Sequence, residues 1–140
     1  MPMPTALTEP AIRALERYVG VPYELGAFDC WDLAARVLRE VFAVHVALPT
    51  DRARPAGAAG QRREIASLRE EVATRVDVPF DGCGALFVEQ GGLWHIGVVA
   101  LHQGEVWVLH NSAKLGSAHL QRLSDLQRFG LQLEGWYAWK

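Results

Sequence analysis

Tyr18-Val-Gly-Val-Pro-Tyr-Glu-Leu-Gly-Ala-Phe-Asp-Cys-Trp-Asp-Leu-Ala-Ala-Arg-Val-Leu-Arg-Glu-Val-Phe42 is the stretch around which the chain is organised. Val21-Pro22-Tyr23 and Gly26 rule out a helix up to Phe28, because proline and glycine punctuate loops. After Asp29 the pattern changes. Leu33, Val37 and Val41 recur every fourth residue with Ala34 and Leu38 beside them, the apolar stripe of a half-buried helix. Asp29 suits the N-cap, its carboxylate accepting from first-turn amides. Cys30 then falls on the first helical residue, where the dipole and backbone amides favour negative charge. A thiol there has a lowered pKa and the reactivity of a nucleophile. Free cysteines are also common as inert core residues. To act, Cys30 needs a base.

Working outward, Glu9 to Val19 reads as a first helix, capped by Thr8, with Ile12, Leu15 and Val19 inward and Gly20 as its stop. Ala47 to Gly60, with Pro49 and Pro55, reads as an exposed connection. A third helix is expected over about Gln61 to Val76, turning Ile65, Leu68, Val72 and Val76 inward and a solvated set of charges outward. Beyond Pro79 the period becomes that of strands: Ala85 to Val88, a Gly91-Gly92 turn, Trp94 to Leu101, a turn at His102-Gln-Gly-Glu105, and Val106 to His110. A short helix from Ser124 to Phe129 precedes a last strand from Leu131 to Trp139. Helices first and antiparallel strands afterwards predict an α+β fold with helices packed on one side of a central sheet.

The hairpin permits a geometric test. With Gln103-Gly104 as a two-residue loop, Gly97 faces His110 and His95 faces Ser112. His95 and Gly97 share a face, since side chains alternate with period two. His95 and His110 are then diagonal neighbours, roughly 7 Å apart or less between Cβ atoms. Gly97 leaves room for an imidazole to lean across. Two such histidines suit a base and its orienter: one nitrogen of His95 takes the Cys30 proton while His110 holds the other. Taken singly, each reads first as a surface or hydrogen-bonded sheet histidine. A metal pair lacks a third convergent ligand, and neither His-Glu-x-x-His nor Cys-x-x-Cys occurs. No metal or cofactor is expected, and His45, His102 and His119 read as ordinary.

The 140 residues predict a single domain over 1–140. Half of them are hydrophobic and 21% charged, as in ordinary globular proteins. A net charge of −2 argues against a nucleic-acid partner. No apolar run approaches the ~20 residues that span a bilayer. The start, Met1-Pro-Met-Pro-Thr-Ala-Leu-Thr, lacks the basic and apolar regions of a secretory signal, which predicts synthesis in a reducing cytoplasm. With only Cys30 and Cys83, no disulfide framework is expected.

Gly20-Val-Pro-Tyr23, Phe28-Asp-Cys-Trp-Asp-Leu33, His95-Ile-Gly-Val-Val99 and Val108-Leu-His110, in that order, resemble the NlpC-type cysteine peptidases. These papain-like enzymes cut bacterial cell-wall peptides. The resemblance covers nearly the whole chain. It implies a papain-like fold, with Cys30 as nucleophile, His95 as base and acid, and His110 as orienter. It further implies Tyr23 beside the nucleophile and Asp29 holding the substrate's amino end. Its typical substrate is murein stem peptide, cut at the D-γ-glutamyl–diaminopimelate bond. Family members usually carry Ser-Gly after the cysteine; here Trp31-Asp32 follows, which bears on substrate binding and adds Trp31 to the binding residues. Trp31, the arginine-rich segment and the aromatic C-terminus look like the small peptidases of phage tail tips. That implies a virion-tail location, action in the host envelope and tail-hub partners. Cys83, where the family usually has Gly-Asp, reads as structural.

Three other readings remain beside this one. The chain is a tail-assembly module with little activity, using Trp136, Tyr137 and Trp139 as a partner surface or merely to close its core. It is a secreted antibacterial amidase toxin using the same chemistry. Or it performs acyl transfer or lipid amide chemistry, which needs a broad apolar cleft near Cys30.

Overall fold

A computed structural model describes residues 9–24, 29–46, 72–89 and 94–140. The expected connection at Ala47–Gly60, the Gly91-Gly92 turn and most of the expected third helix lie outside them.

Helix α1 spans Ala11–Glu16 and buries Ile12 and Leu15. It is shorter than the sequence predicts. Pro10 stands at its N-cap, where a missing N–H costs nothing, and its carbonyl accepts from Arg13 N at 3.0 Å. Val19, expected inward, lies past the helix end and is exposed. Gly20 turns the chain at φ 94°, which its lack of a Cβ permits. Helix α2 spans Cys30–Phe42, buries Leu33, Val37 and Leu38, and ends at Ala43 in the left-handed region.

Six strands form one antiparallel sheet: β1 Ala73–Val76, β2 Gly84–Val88, β3 Trp94–His102, β4 Glu105–Ser112, β5 Ser117–Arg122 and β6 Gln132–Trp139. Helix α3, Leu123–Arg128, precedes β6. The sheet order is β1-β6-β2-β3-β4-β5, so the architecture is mixed α+β with few helices.

Two expectations about this sheet are corrected. Ala73–Val76, read as the end of a helix, is strand β1, pairing Ala73 with Trp139 and Val76 with Trp136. Val72 is helical as expected, and Val76 continues its spacing, but the ladder to an aromatic strand overrides that local pattern from Ala73 onward. The helices do not share one side of the sheet. Ile96, Val98, Ala100 and Leu109 pack in one cluster with α1 and α2, whereas Val99 and Val108 pack with Leu126 of α3 in a second. A sheet apolar on both faces needs cover on both, and the short α3 supplies the second.

The C-terminal aromatics close the core. Tyr137 is buried, and Trp136 and Trp139 pack against the two clusters. Trp139 Nε1 donates to Gly82 O at 3.0 Å, the polar partner a mostly buried indole needs. Among the described residues no helix is long and apolar enough to cross a membrane.

Candidate active site

Asp29 is extended, and its Oδ1 accepts from Trp31 N at 3.0 Å and Asp32 N at 3.2 Å. Asp32 Oδ2 in turn accepts from Asp29 N at 2.9 Å. This reciprocal box satisfies orphan first-turn donors and fixes where the helix begins. Cys30 is therefore its first residue, and its side chain is buried. Asn111 Nδ2 donates to Asp29 O at 3.5 Å, tying this helix end to β4.

The β3–β4 hairpin has the register read from the sequence, with Val98 opposite Leu109 and His102 opposite Glu105. Gln103 and Gly104 both have positive φ, 50° and 76°, the primed turn that two-residue hairpin loops favour. His95 and His110 consequently meet. Nε2 of His95 lies 2.8 Å from Nδ1 of His110, with the rings edge to face at 87°. Gly97 makes this possible: a Cβ there would fall 2.3 Å from Val108 Cγ1 and 3.4 Å from His110 Cβ.

Three further residues complete the polar surroundings: Gln121 and Glu89, which the sequence does not single out, and His119, which it marks as ordinary. His110 Nε2 lies 2.7 Å from Gln121 Oε1. Glu89 Oε1 stands 4.0 Å from His95 Nδ1, beyond hydrogen-bonding distance but close enough for its charge to act. His119 is paired across from His110, with its Nδ1 on Ser117 O at 3.0 Å. Gln121 and His119 both come from β5, a strand the sequence reading did not find. Its signal is present: Ala118 and Leu120 alternate with His119 and Gln121 directly after Gly116.

Burial dominates the electrostatics. His95 is pushed down to about 3 chiefly by burial, then by His110, with the Asp29 charge opposing. His110 is also lowered by burial, opposed by its hydrogen bond to Gln121. Both rings are neutral at pH 7, since desolvation penalises the charged form.

Asn111, the chain neighbour of His110 on β4, ties Asp29 O to that strand, so the N-terminus of α2 lies against the strand that carries His110. The approach of the helix end to the histidines is nonetheless indirect. By strand alternation His95 and His110 belong with Val99 and Val108, on the α3 side of the sheet, while α2 packs on the other. Among the described residues the hydrogen bond made by the His95 ring is to His110. Tyr23 is half-buried and its N–H donates to Gly116 O at 2.9 Å, joining its loop to the start of β5. Trp31 is buried in the α2-side core. Cys83 is fully buried just before β2 and its thiol is pushed up to about 11, chiefly by burial.

A cavity of about 220 Å³ opens beside His110, with Glu89, His110 and Gln121 on its polar wall and Leu126, Phe129 and Leu131 on its apolar one. Among the described residues no three His, Cys, Asp or Glu side chains gather as a metal site.

No protein-family model matches the chain, and no curated protein matches it.

Proposed function

We propose that the chain is a papain-like, NlpC-type cysteine peptidase that hydrolyses amide bonds of peptidoglycan stem peptides. The expected bond is D-γ-glutamyl–diaminopimelate, and the expected setting is a single-domain component of a phage tail tip. One observation carries the reading. A cysteine opens a capped helix whose N-cap residue is tied by Asn111 to the strand of His110, and His110 holds the ring of His95.

The chemistry assigns each group one task. The Cys30 S–H proton passes to His95 Nδ1, and the sulfur attacks the amide carbonyl. This requires Sγ to come within hydrogen-bonding reach of Nδ1 in the reacting complex. The Cys30 amide, at the N-terminus of α2, is the donor for the oxyanion. One such donor is worth about 3 kcal/mol, and Tyr23 is the candidate for a second. The C–N bond then breaks, the His95 proton leaves with the amine, and water hydrolyses the thioester through the same nitrogen. Asp29 and Trp31 complete the expected binding set for the substrate's amino end.

A tail component that keeps the fold with little turnover is the second reading. One observation favours it: by strand alternation His95 lies on the sheet side away from α2, the helix that Cys30 opens. Incubation of the full chain with defined murein tripeptides and tetrapeptides, read by product mass, separates the two. Cleavage lost in Cys30→Ala supports the peptidase; no cleavage by a folded, wild-type chain supports the assembly role.

A further inference from the structure

We infer that Gln121 is a positioning residue that fixes the protons of the His95–His110 pair, leaving Nδ1 of His95 as the bare nitrogen. The inference rests on the proposed peptidase only in assigning the thiol proton to that nitrogen. Its geometric basis is a chain of three side chains: His95 Nε2 to His110 Nδ1 at 2.8 Å, and His110 Nε2 to Gln121 Oε1 at 2.7 Å.

A neutral imidazole carries one N–H and one lone pair, and an amide oxygen only accepts. Gln121 Oε1 therefore places the His110 proton on Nε2. His110 Nδ1 then accepts, which places the His95 proton on Nε2 and leaves Nδ1 with its lone pair. The opposite direction would put a proton on His95 Nδ1, and that ring could take nothing from a thiol. Burial keeps both rings neutral, so the chain retains a direction.

The surrounding charges fit this arrangement. Glu89, at 4.0 Å from Nδ1, is too far to claim an N–H from the resting ring but steadies the imidazolium formed when Nδ1 is protonated. Asp29 acts in the same sense on His95. His119 faces His110 from β5, and Lys114 lines the same cavity.

Long-range ¹H–¹⁵N correlation spectra of the ¹⁵N-labelled chain at pH 7 report the ring protons directly. Both rings are expected in the Nε2–H form, and again in Gln121→Glu, whose carboxylate also only accepts. Gln121→Met, similar in size, removes the acceptor. It is expected to raise the Nδ1–H share of His95 on the order of tenfold, the bias of one hydrogen bond. Turnover should fall comparably at unchanged KM and recover in Gln121→Glu. An Nδ1–H form of His95 in the wild type, or ring protons unaltered in Gln121→Met, overturns the inference. Nε2–H rings without any murein cleavage support the proton arrangement while contradicting the peptidase reading.

Discussion

Nε2 of His95 lies 2.8 Å from Nδ1 of His110, across two strands joined by a two-residue turn. That contact makes His110 the residue that sets the orientation of His95. His110→Ala is expected to lower kcat about 100-fold, the lower range for losing general acid–base action, with KM little changed. Steady-state kinetics on a murein tripeptide check this. Unchanged turnover would remove His110 from the site.

Acid should destabilise the fold through the same pair. The folded-state pKa of His95 is depressed to about 3, and that of His110 is also lowered, each from an ordinary value of 6.5. Below pH 6.5 the unfolded chain binds protons that the folded chain refuses, so stability falls as pH drops. The loss through His95 accumulates from pH 6.5 down towards 3, by up to about 1.4 kcal/mol per pH unit for each group. Denaturant titrations between pH 7 and 4 should show this slope, flattened in His95→Gln. An equal slope in that variant would contradict the assignment.

Gly97 is required for close approach of the strands. A Cβ would lie 2.3 Å from Val108 Cγ1 and 2.8 Å from Leu109 O, and backbone oxygen yields little. Gly97→Val is expected to cost about 1–3 kcal/mol and to disturb the His95–His110 contact. Thermal unfolding and histidine ring chemical shifts check the two parts. Wild-type values for both would contradict the account.

Asp29 has two separable effects, a cap and a charge. Asp29→Ala loses the acceptor for Trp31 N and Asp32 N and should cost about 0.5–2 kcal/mol. Asp29→Asn keeps an acceptor oxygen and should retain most of that stability. Both variants lose the charge that acts on His95, so the His95 titration should move further down in each. Chemical denaturation measures the first effect and NMR titration the second. Equal stability loss in both variants would mean the charge, not the cap, holds the helix end.

The contrast between what was and was not legible in the sequence follows the range of the interactions. Asp29 and Cys30 were readable because capping is local: side chain and amides lie within four residues. The hairpin was readable because a two-residue loop fixes parity, and parity alone brings His95 to His110. β1 was not, since Val76 keeps the helical spacing of Ile65, Leu68 and Val72 and becomes strand only by pairing with a strand some sixty residues later, Val76 with Trp136. Gln121 went unseen with its strand, because Ser117–Arg122 alternates polar residues that mean little until His110 lies opposite. The side of the sheet taken by each helix was equally hidden. Leu126 marks α3 as apolar, but only the packing with Val99 and Val108 assigns it to the face opposite α2.

The central claim is that Cys30 forms a covalent acyl-enzyme. The full chain, mixed with a murein tripeptide, quenched in acid within milliseconds to seconds and digested, can be read by peptide mass. The account predicts a transient thioester on the Cys30 peptide, absent in Cys30→Ala and never on Cys83, which is fully buried with its thiol pushed up to about 11. Peptide cleavage that persists in Cys30→Ala would contradict it.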